Sequence, residues 1–382
     1  MARIILGSYM IRYPLGGVLS SSLQWLAGFQ QLGHDVYLVE KSGWAGSCYD
    51  PVKNVMSDDC TYGVQAVKEL LSRFGLEAKW CYVDATGNYH GMSRQRVEEV
   101  FRSADLFIDR GTHGAWMEEA SATRLRVFVD GEPAFRQMMM ENDLKRGISF
   151  PHYDYYFTTG RNIGTNLSLA PTAGKRWLSI FHPVAVGLFV VQPCNRDAAF
   201  TTVMNWQSHP PVVFNGVTYG HKDVEFHRFM SLPLRTRIPL EVAVAGKKTP
   251  YQRLTECGWR VRDAHAVTIS FESYLRYAGD SRGEFSICKQ GYARTNCGWF
   301  SDRSAAYLAC GRPVVMQETG FSDHLPCGEG LFAFHTADEA LAALEEVNGN
   351  YDRHSRKAGE LALEYLDASK VLGGMLAQIG LK

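Results

Sequence analysis

Glycines, hydroxyls and fixed cations crowd into one stretch of this chain, Lys289 to Val315, which reads KQGYARTNCGWFSDRSAAYLACGRPVV. Ser301 and Asp302 have helix-capping side chains, Ser304 to Cys310 continue a helix with small and apolar residues, and Gly311 and Pro313 stop it. The first turn of such a helix presents unpaired N–H groups and a partial positive charge, and Arg303, Arg294 and Lys289 add full charges beside it. That combination suits a diphosphate. Lys222, in TYGHKDVEF, is a further candidate for the same phosphates. The plainer alternative is a capped helix whose cations are solvated.

A second set of residues could face a reacting group. His113 follows the apolar run DLFID in DLFIDRGTHG, which places it just past the carboxyl end of a strand, and its imidazole titrates near neutrality. Asp109, closing the same strand, could orient it or replace it. Asp130 and Glu132 in VDGEP occupy the corresponding point of the next strand. No Asp-x-Asp occurs, so a metal-clamped diphosphate lacks its usual signature; no metal ligand is assigned, and leaving-group charge falls to Arg, Lys and helix N-termini.

These positions need strands that end together. ARIILGS reads as a strand, YMIRYPLGGVLSSS as a loop, LQWLAGFQQLG as a helix and HDVYLVE as a parallel strand. Gly16 and Gly17 lie in that loop, without the G-x-G-x-x-G of a dinucleotide fold, and let a ligand approach the backbone closely. Strands such as DLFIDRG, RLRVFVDGEP, HYDYYFTTG and KRWLSIFHP follow, alternating with helices or loops. AFTTVMNW, IPLEVAVAG, WRVRDA, GEFSICKQ and RPVVMQETG repeat the pattern, with KDVEFHRFMSLP among the intervening helices. The spacing predicts two tandem Rossmann-like domains, residues 1–185 and 186–382, with TADEALAALEEVN and RHSRKAGELALEYL as bracing helices near the C-terminus.

Composition narrows the class. With 40 basic and 40 acidic residues the chain is formally neutral and has no basic run, from which no nucleic-acid partner is expected. No apolar segment reaches the roughly 20 residues of a membrane helix, and no secretory leader is legible. Nine scattered cysteines without Cys-x-x-Cys spacing point to free thiols in the cytoplasm and away from structural zinc.

The paired Rossmann-like pattern, the Gly-Gly loop, LGHDV closing the first helix and ACGRPVV closing a late one resemble the GT-B glycosyltransferases. The stretch GYARTNCGWFSDRSAAYLACGRPVVMQETGFSDHLPCGEGLFAF is similar to a bacterial branch of that group, over nearly the whole second half. The resemblance implies a nucleotide-sugar donor in the second domain, a small-molecule or lipid-like acceptor in the first, and a closing cleft. It implies further that Gly16 and Gly17 approach the donor phosphates, that Ser301, Asp302, Arg303 and Ser304 flank the diphosphate, and that Gln317, Thr319 and Gly320 lie near the sugar. The nucleotide sugar is then a substrate, its base unknown, and no cofactor is called for. Many relatives hold the ribose with a glutamate where this chain has Ala305 and Ala306. A nucleotide-sugar epimerase and a non-catalytic nucleotide-sugar-binding partner protein stay open as alternatives.

Overall fold

In the computed structural model, which describes residues 1–208, 210–246 and 248–381, the chain builds two large sheets in succession. The first runs, in spatial order, Trp177–Ser179, Tyr155–Thr158, Leu125–Asp130, Leu106–Asp109, Arg3–Gly7, Asp35–Lys41, Trp80–Val83 and Tyr89–Gly91. The second runs Arg260–Asp263, Leu240–Ala245, Phe200–Asn205, Gly283–Ser286, Val314–Gln317 and Leu331–Phe334. Within these two sheets every pairing is parallel except that of Trp80–Val83 with the edge strand Tyr89–Gly91. Leaving that edge strand aside, the first six strands of each sheet stand in the order 3-2-1-4-5-6, which reverses direction between strands one and four. This is the expected pair of Rossmann-like sheets.

The central strands carry unbroken apolar runs because helices cover both faces. Ile4, Ile5 and Leu6 are all fully buried. At about 1.5–3 kcal/mol for each large apolar side chain removed from water, such runs fix which strands are central.

Local readings differ in places. GEFSICKQ reads as one strand, but the strand stops at Ser286 and Gln290–Thr295 forms a short helix. The neighbouring strand Phe200–Asn205 pairs with it only through Phe200 and Thr201, so the ladder that would extend it is missing. KDVEFHRFMSLP keeps its helix only over Lys222–Phe226, and a 3-10 turn with Pro233 in its first positions follows. Phe135–Lys145 is a helix in a segment with no clear periodicity.

Ala337–Gly349 and Tyr351–Leu361 flank the second sheet, while the last helix, Ala368–Gln378, returns to pack on Gly16–Gln31. A Cβ at Gly28 would come within 2.7 Å of both Ala368 and Leu372, so glycine permits this contact. The return is tied at Val184, whose N–H donates to Leu366 O and whose C=O accepts from Ala368 N, both at 2.8 Å. Glu132, just past Leu125–Asp130, meets Lys289, just past Gly283–Ser286, with Oε2 and Nζ 2.5 Å apart. The carboxyl edges of the two sheets therefore face one another across a cleft.

Candidate functional site

The second sheet splits at its reversal point. Strands Phe200–Asn205 and Gly283–Ser286 pair at Phe200–Gly283 and Thr201–Glu284 and then diverge. Arg303, in the first turn of helix Asp302–Ala309, fills the gap: Nη1 donates to Val203 O at 2.9 Å, Nη2 to Ser286 Oγ at 2.7 Å, and Nε pairs with the fully buried Glu284. The expected phosphate ligand thus has its guanidinium committed to holding the sheet open. Ser301 caps the helix as predicted, its Oγ accepting from Arg303 N at 3.2 Å, and Asp302 Oδ1 accepts from the same N–H at 2.9 Å. Ser304 is buried, with Oγ 3.7 Å from Met316 Sδ.

Two lysines complete the corner. Lys289 is buried, pairs with Glu132 and lies 5.6 and 5.7 Å from the ring centres of Phe135 and Tyr292. Lys222, at the start of Lys222–Phe226, is also buried, and its ammonium has no hydrogen-bond or ion-pair partner among the described residues. Burial pushes its pKa well down, and Arg303 pushes it further, against the pull of Glu284. One oxygen of Glu284, Oε2, is buried without a hydrogen-bond partner among the described residues. Among the described residues Lys289 and Arg303 are each paired with a carboxylate and Lys222 with none.

The remaining donor candidates divide. Gln317 donates to Glu225 at 2.6 Å and accepts from Cys288 N at 3.2 Å; Thr319 donates to Trp299 O at 2.5 Å. At Gly320, φ is 93° and a Cβ would run into the Asn162 amide, so this loop needs glycine for its own packing. Arg294 is exposed, 5.4 Å from the Tyr219 ring centre. Gly16 begins helix Gly16–Gln31, whose N-cap Leu15 supplies no side-chain bond, and a Cβ there would strike Ser270 O and Tyr274 Cβ; Gly17 lies beside the Tyr274 ring. Glycine at 16 thus serves the contact between the two halves directly.

On the first sheet, Asp109 is fully buried. It accepts from the N–H groups of Thr112, His113 and Gly114 at 2.8, 3.2 and 2.7 Å and from the Tyr153 hydroxyl at 2.6 Å. It therefore shapes the loop that carries His113 and has no capacity left for a substrate. His113 has φ 51°, a sparsely used conformation, and Arg136 Nη2 lies 3.3 Å from its Nδ1. Arginine only donates, so Nδ1 accepts and the proton sits on Nε2. Water reaches the ring, yet protein on most sides desolvates it; this, with Arg136 second, pushes its pKa down to about 4. At neutral pH His113 is a hydrogen-bond donor through Nε2.

Sequence reasoning passed over His182. It is buried, Nδ1 has no partner among the described residues, and desolvation foremost pushes its pKa down to about 4. With Ser20, Ser21, Gln24 and Tyr274 it lines a cavity of about 10 Å³ between the halves, beside Asp302. Arg110 approaches from the first sheet and bonds to the Ser21 hydroxyl. Burial would raise the Asp302 pKa, but His182, Arg110 and Arg303 outweigh it and hold the carboxyl low. Only the packing of helices Gly16–Gln31, Phe271–Asp280 and Asp302–Ala309 around His182 reveals this group, and no spacing announces it. A site for a drug-sized ligand needs on the order of 300–1,000 Å³, whereas about 10 Å³ holds one water. A large ligand enters this cavity only if the halves part.

No protein-family model matches the chain, and neither does any curated protein. Solved structures do. An alpha-glucosyltransferase in complex with UDP and a 13-mer DNA containing a central A:G mismatch aligns over 99% of both chains with TM-score 0.59 and 11% identity. Anabaena Alr3699/HepE in complex with UDP and glucose aligns over 99% of both with TM-score 0.57 and 12% identity. AviGT4, a glycosyltransferase involved in Avilamycin A biosynthesis, covers 99% of this chain and 97% of its own with TM-score 0.54 and 12% identity. The chain has the GT-B fold. One expectation is overturned here: balanced charge does not exclude a nucleic-acid partner, since GT-B structures aligned over nearly the full chain carry DNA. Net charge sums the whole chain, whereas a nucleic acid meets one groove. Among the described residues no helix is long and apolar enough to cross a membrane.

Proposed function

We propose that this protein is a glycosyltransferase that takes a sugar from a nucleotide-sugar donor bound at the corner formed by Lys222, Lys289 and the start of helix Asp302–Ala309. The carrying observation is Lys222, a largely buried residue without a hydrogen-bond or ion-pair partner among the described residues, at the reversal point of the second sheet, where doubly wound folds take phosphate ligands. A diphosphate supplies the charge that Lys222 lacks. It also replaces Glu132 on Lys289: when the halves part, Glu132 leaves with the first sheet, and the freed ammonium meets the incoming phosphate. Glu132 thus stands on Lys289 where a phosphate oxygen would sit.

Departure of the nucleoside diphosphate is then stabilised by fixed cations and the N-terminus of Asp302–Ala309, without a catalytic metal. His113 donates from Nε2 to the sugar or its phosphate, and Asp109 positions it. Residues 1–185 form the acceptor side and 186–382 the donor side, with Ala368–Gln378 crossing back. UDP-glucose is the first donor to try, because HepE and alpha-glucosyltransferase structures of this fold hold it. The acceptor class proposed is a small molecule or lipid, with DNA carried in the same screen. A cytoplasmic location fits nine unpaired cysteines. Melting the protein with a panel of nucleoside diphosphates tests the donor site. A ligand at 100 times its Kd stabilises by about 2.7 kcal/mol. Slow release of nucleoside diphosphate from the matching nucleotide sugar then separates a transferase from a binding protein, and no shift with any nucleoside diphosphate at millimolar concentration overturns the reading.

A further inference from the structure

The first sheet carries a second cluster, at its antiparallel edge, that the donor site does not use. Cys60 is the N-cap residue of helix Thr61–Ser72 and gives it no side-chain cap. Asp84 and His90 flank the hairpin turn that joins Trp80–Val83 to Tyr89–Gly91. The Cys60 sulfur lies 3.7 Å from His90 Nε2, the same nitrogen lies 3.0 Å from Asp84 Oδ2, and all three ligand atoms lie within 4.8 Å of one another. We propose that Cys60, Asp84 and His90 form a divalent-metal site of the zinc class that pins this edge hairpin to the helix.

The distances fit such an ion. With Zn–S near 2.3 Å and Zn–N or Zn–O near 2.0–2.1 Å, tetrahedral geometry separates sulfur from nitrogen by about 3.6 Å and nitrogen from oxygen by about 3.4 Å. A thiolate, an imidazole and a carboxylate are the ligands zinc takes, and no acidic cluster is involved that would favour calcium. The outer shell is already built: Asp84 Oδ1 accepts from Thr86 N, Thr86 Oγ1 and Asn88 N at 2.9, 2.8 and 2.9 Å, and Asn88 Nδ2 donates to Oδ2 at 3.1 Å. The carboxylate is held with Oδ2 towards His90, as an outer shell orients a metal ligand. Cys60 is buried while 31% of the His90 side chain is accessible, so the fourth position opens to water on that side. The residues are 24 and 6 apart in the chain, a spacing no zinc motif announces, and only the fold assembles them. Metal here acts on the edge strand and takes no part in the transfer chemistry.

The full-length chain, reduced and stripped by a chelator, is titrated with Co²⁺ as a spectroscopic probe and back-titrated with Zn²⁺. One equivalent of Co²⁺ should give the intense visible bands of a tetrahedral ion and a thiolate charge-transfer band, both displaced by Zn²⁺. Cys60→Ser should abolish the charge-transfer band, and His90→Gln and Asp84→Asn should each weaken Co²⁺ binding at least tenfold. If Cys60→Ser does not fold by circular dichroism, the other two variants decide. A wild-type chain without a tetrahedral spectrum at one equivalent, or a spectrum unchanged in the variants that fold, overturns the site and puts any bound metal on another thiol such as the exposed Cys327.

Discussion

Lys289 Nζ and Glu132 Oε2 stand 2.5 Å apart and join the facing edges of the two sheets, with the Tyr292 hydroxyl donating to the same carboxylate oxygen at 2.7 Å. In the proposed cycle this pair competes with the ligand, so its two halves should respond oppositely. Glu132→Gln should tighten nucleoside diphosphate binding about fivefold by freeing the ammonium, while Lys289→Met should weaken it about tenfold, near 1.4 kcal/mol. Titration calorimetry checks both; a matching loss in the two variants would make the pair a structural tie alone.

Arg303 predicts a loss of stability. Removing its guanidinium leaves the fully buried Glu284 carboxylate without its ion pair, and breaking a buried pair costs about 3–5 kcal/mol. Arg303→Met should therefore melt well below the wild type even without ligand, and adding Glu284→Gln should recover much of the loss. An unchanged melting temperature for Arg303→Met would return this residue to the ligand.

For His113, the neutral Nε2–H tautomer sets the expectation. His113→Asn, chosen because asparagine tolerates the φ of 51°, should slow transfer about 10- to 100-fold with the nucleotide affinity kept. Equal rates would take His113 out of the reaction.

The pH dependence follows from His182. Its folded pKa is lowered, foremost by desolvation, to about 4 from an ordinary 6.5. Between those values the unfolded chain binds more protons than the folded one, so stability rises with pH through that window and is lost on acidification. His182→Gln should flatten part of that slope in urea melts between pH 6.5 and 4. An identical slope would show that the burial of His182 carries no linkage.

Much of this was legible in the sequence. Apolar runs such as RIILG, glycine-ended strands and the capping residue Ser301 identify the doubly wound sheets and the helix at the corner, because these signals are local. Which cations stay free is a tertiary matter. Arg303 and Lys222 look alike in sequence, yet the diverging strands Phe200–Asn205 and Gly283–Ser286 consume the guanidinium and leave the lysine without a partner among the described residues. Gly16 reads as a ligand contact until Ser270 and Tyr274 are seen against it. His182, and the trio of Cys60, Asp84 and His90, come together only through folding.

Lys222 offers the most direct test of the donor site, by nucleoside diphosphate titration of the wild type and Lys222→Met in buffers of differing ionisation enthalpy. Burial, with Arg303, lowers the lysine's pKa, and a bound diphosphate favours its charged form, so binding should take up a proton. In the empty protein, stability should rise with pH from that lowered pKa towards the ordinary 10.5, a slope that Lys222→Met removes. The account predicts at least tenfold weaker binding and no proton uptake at this site for Lys222→Met, with stability equal to or above the wild type. Equal affinity in the two proteins, or no binding of any nucleoside diphosphate by the wild type, would contradict it.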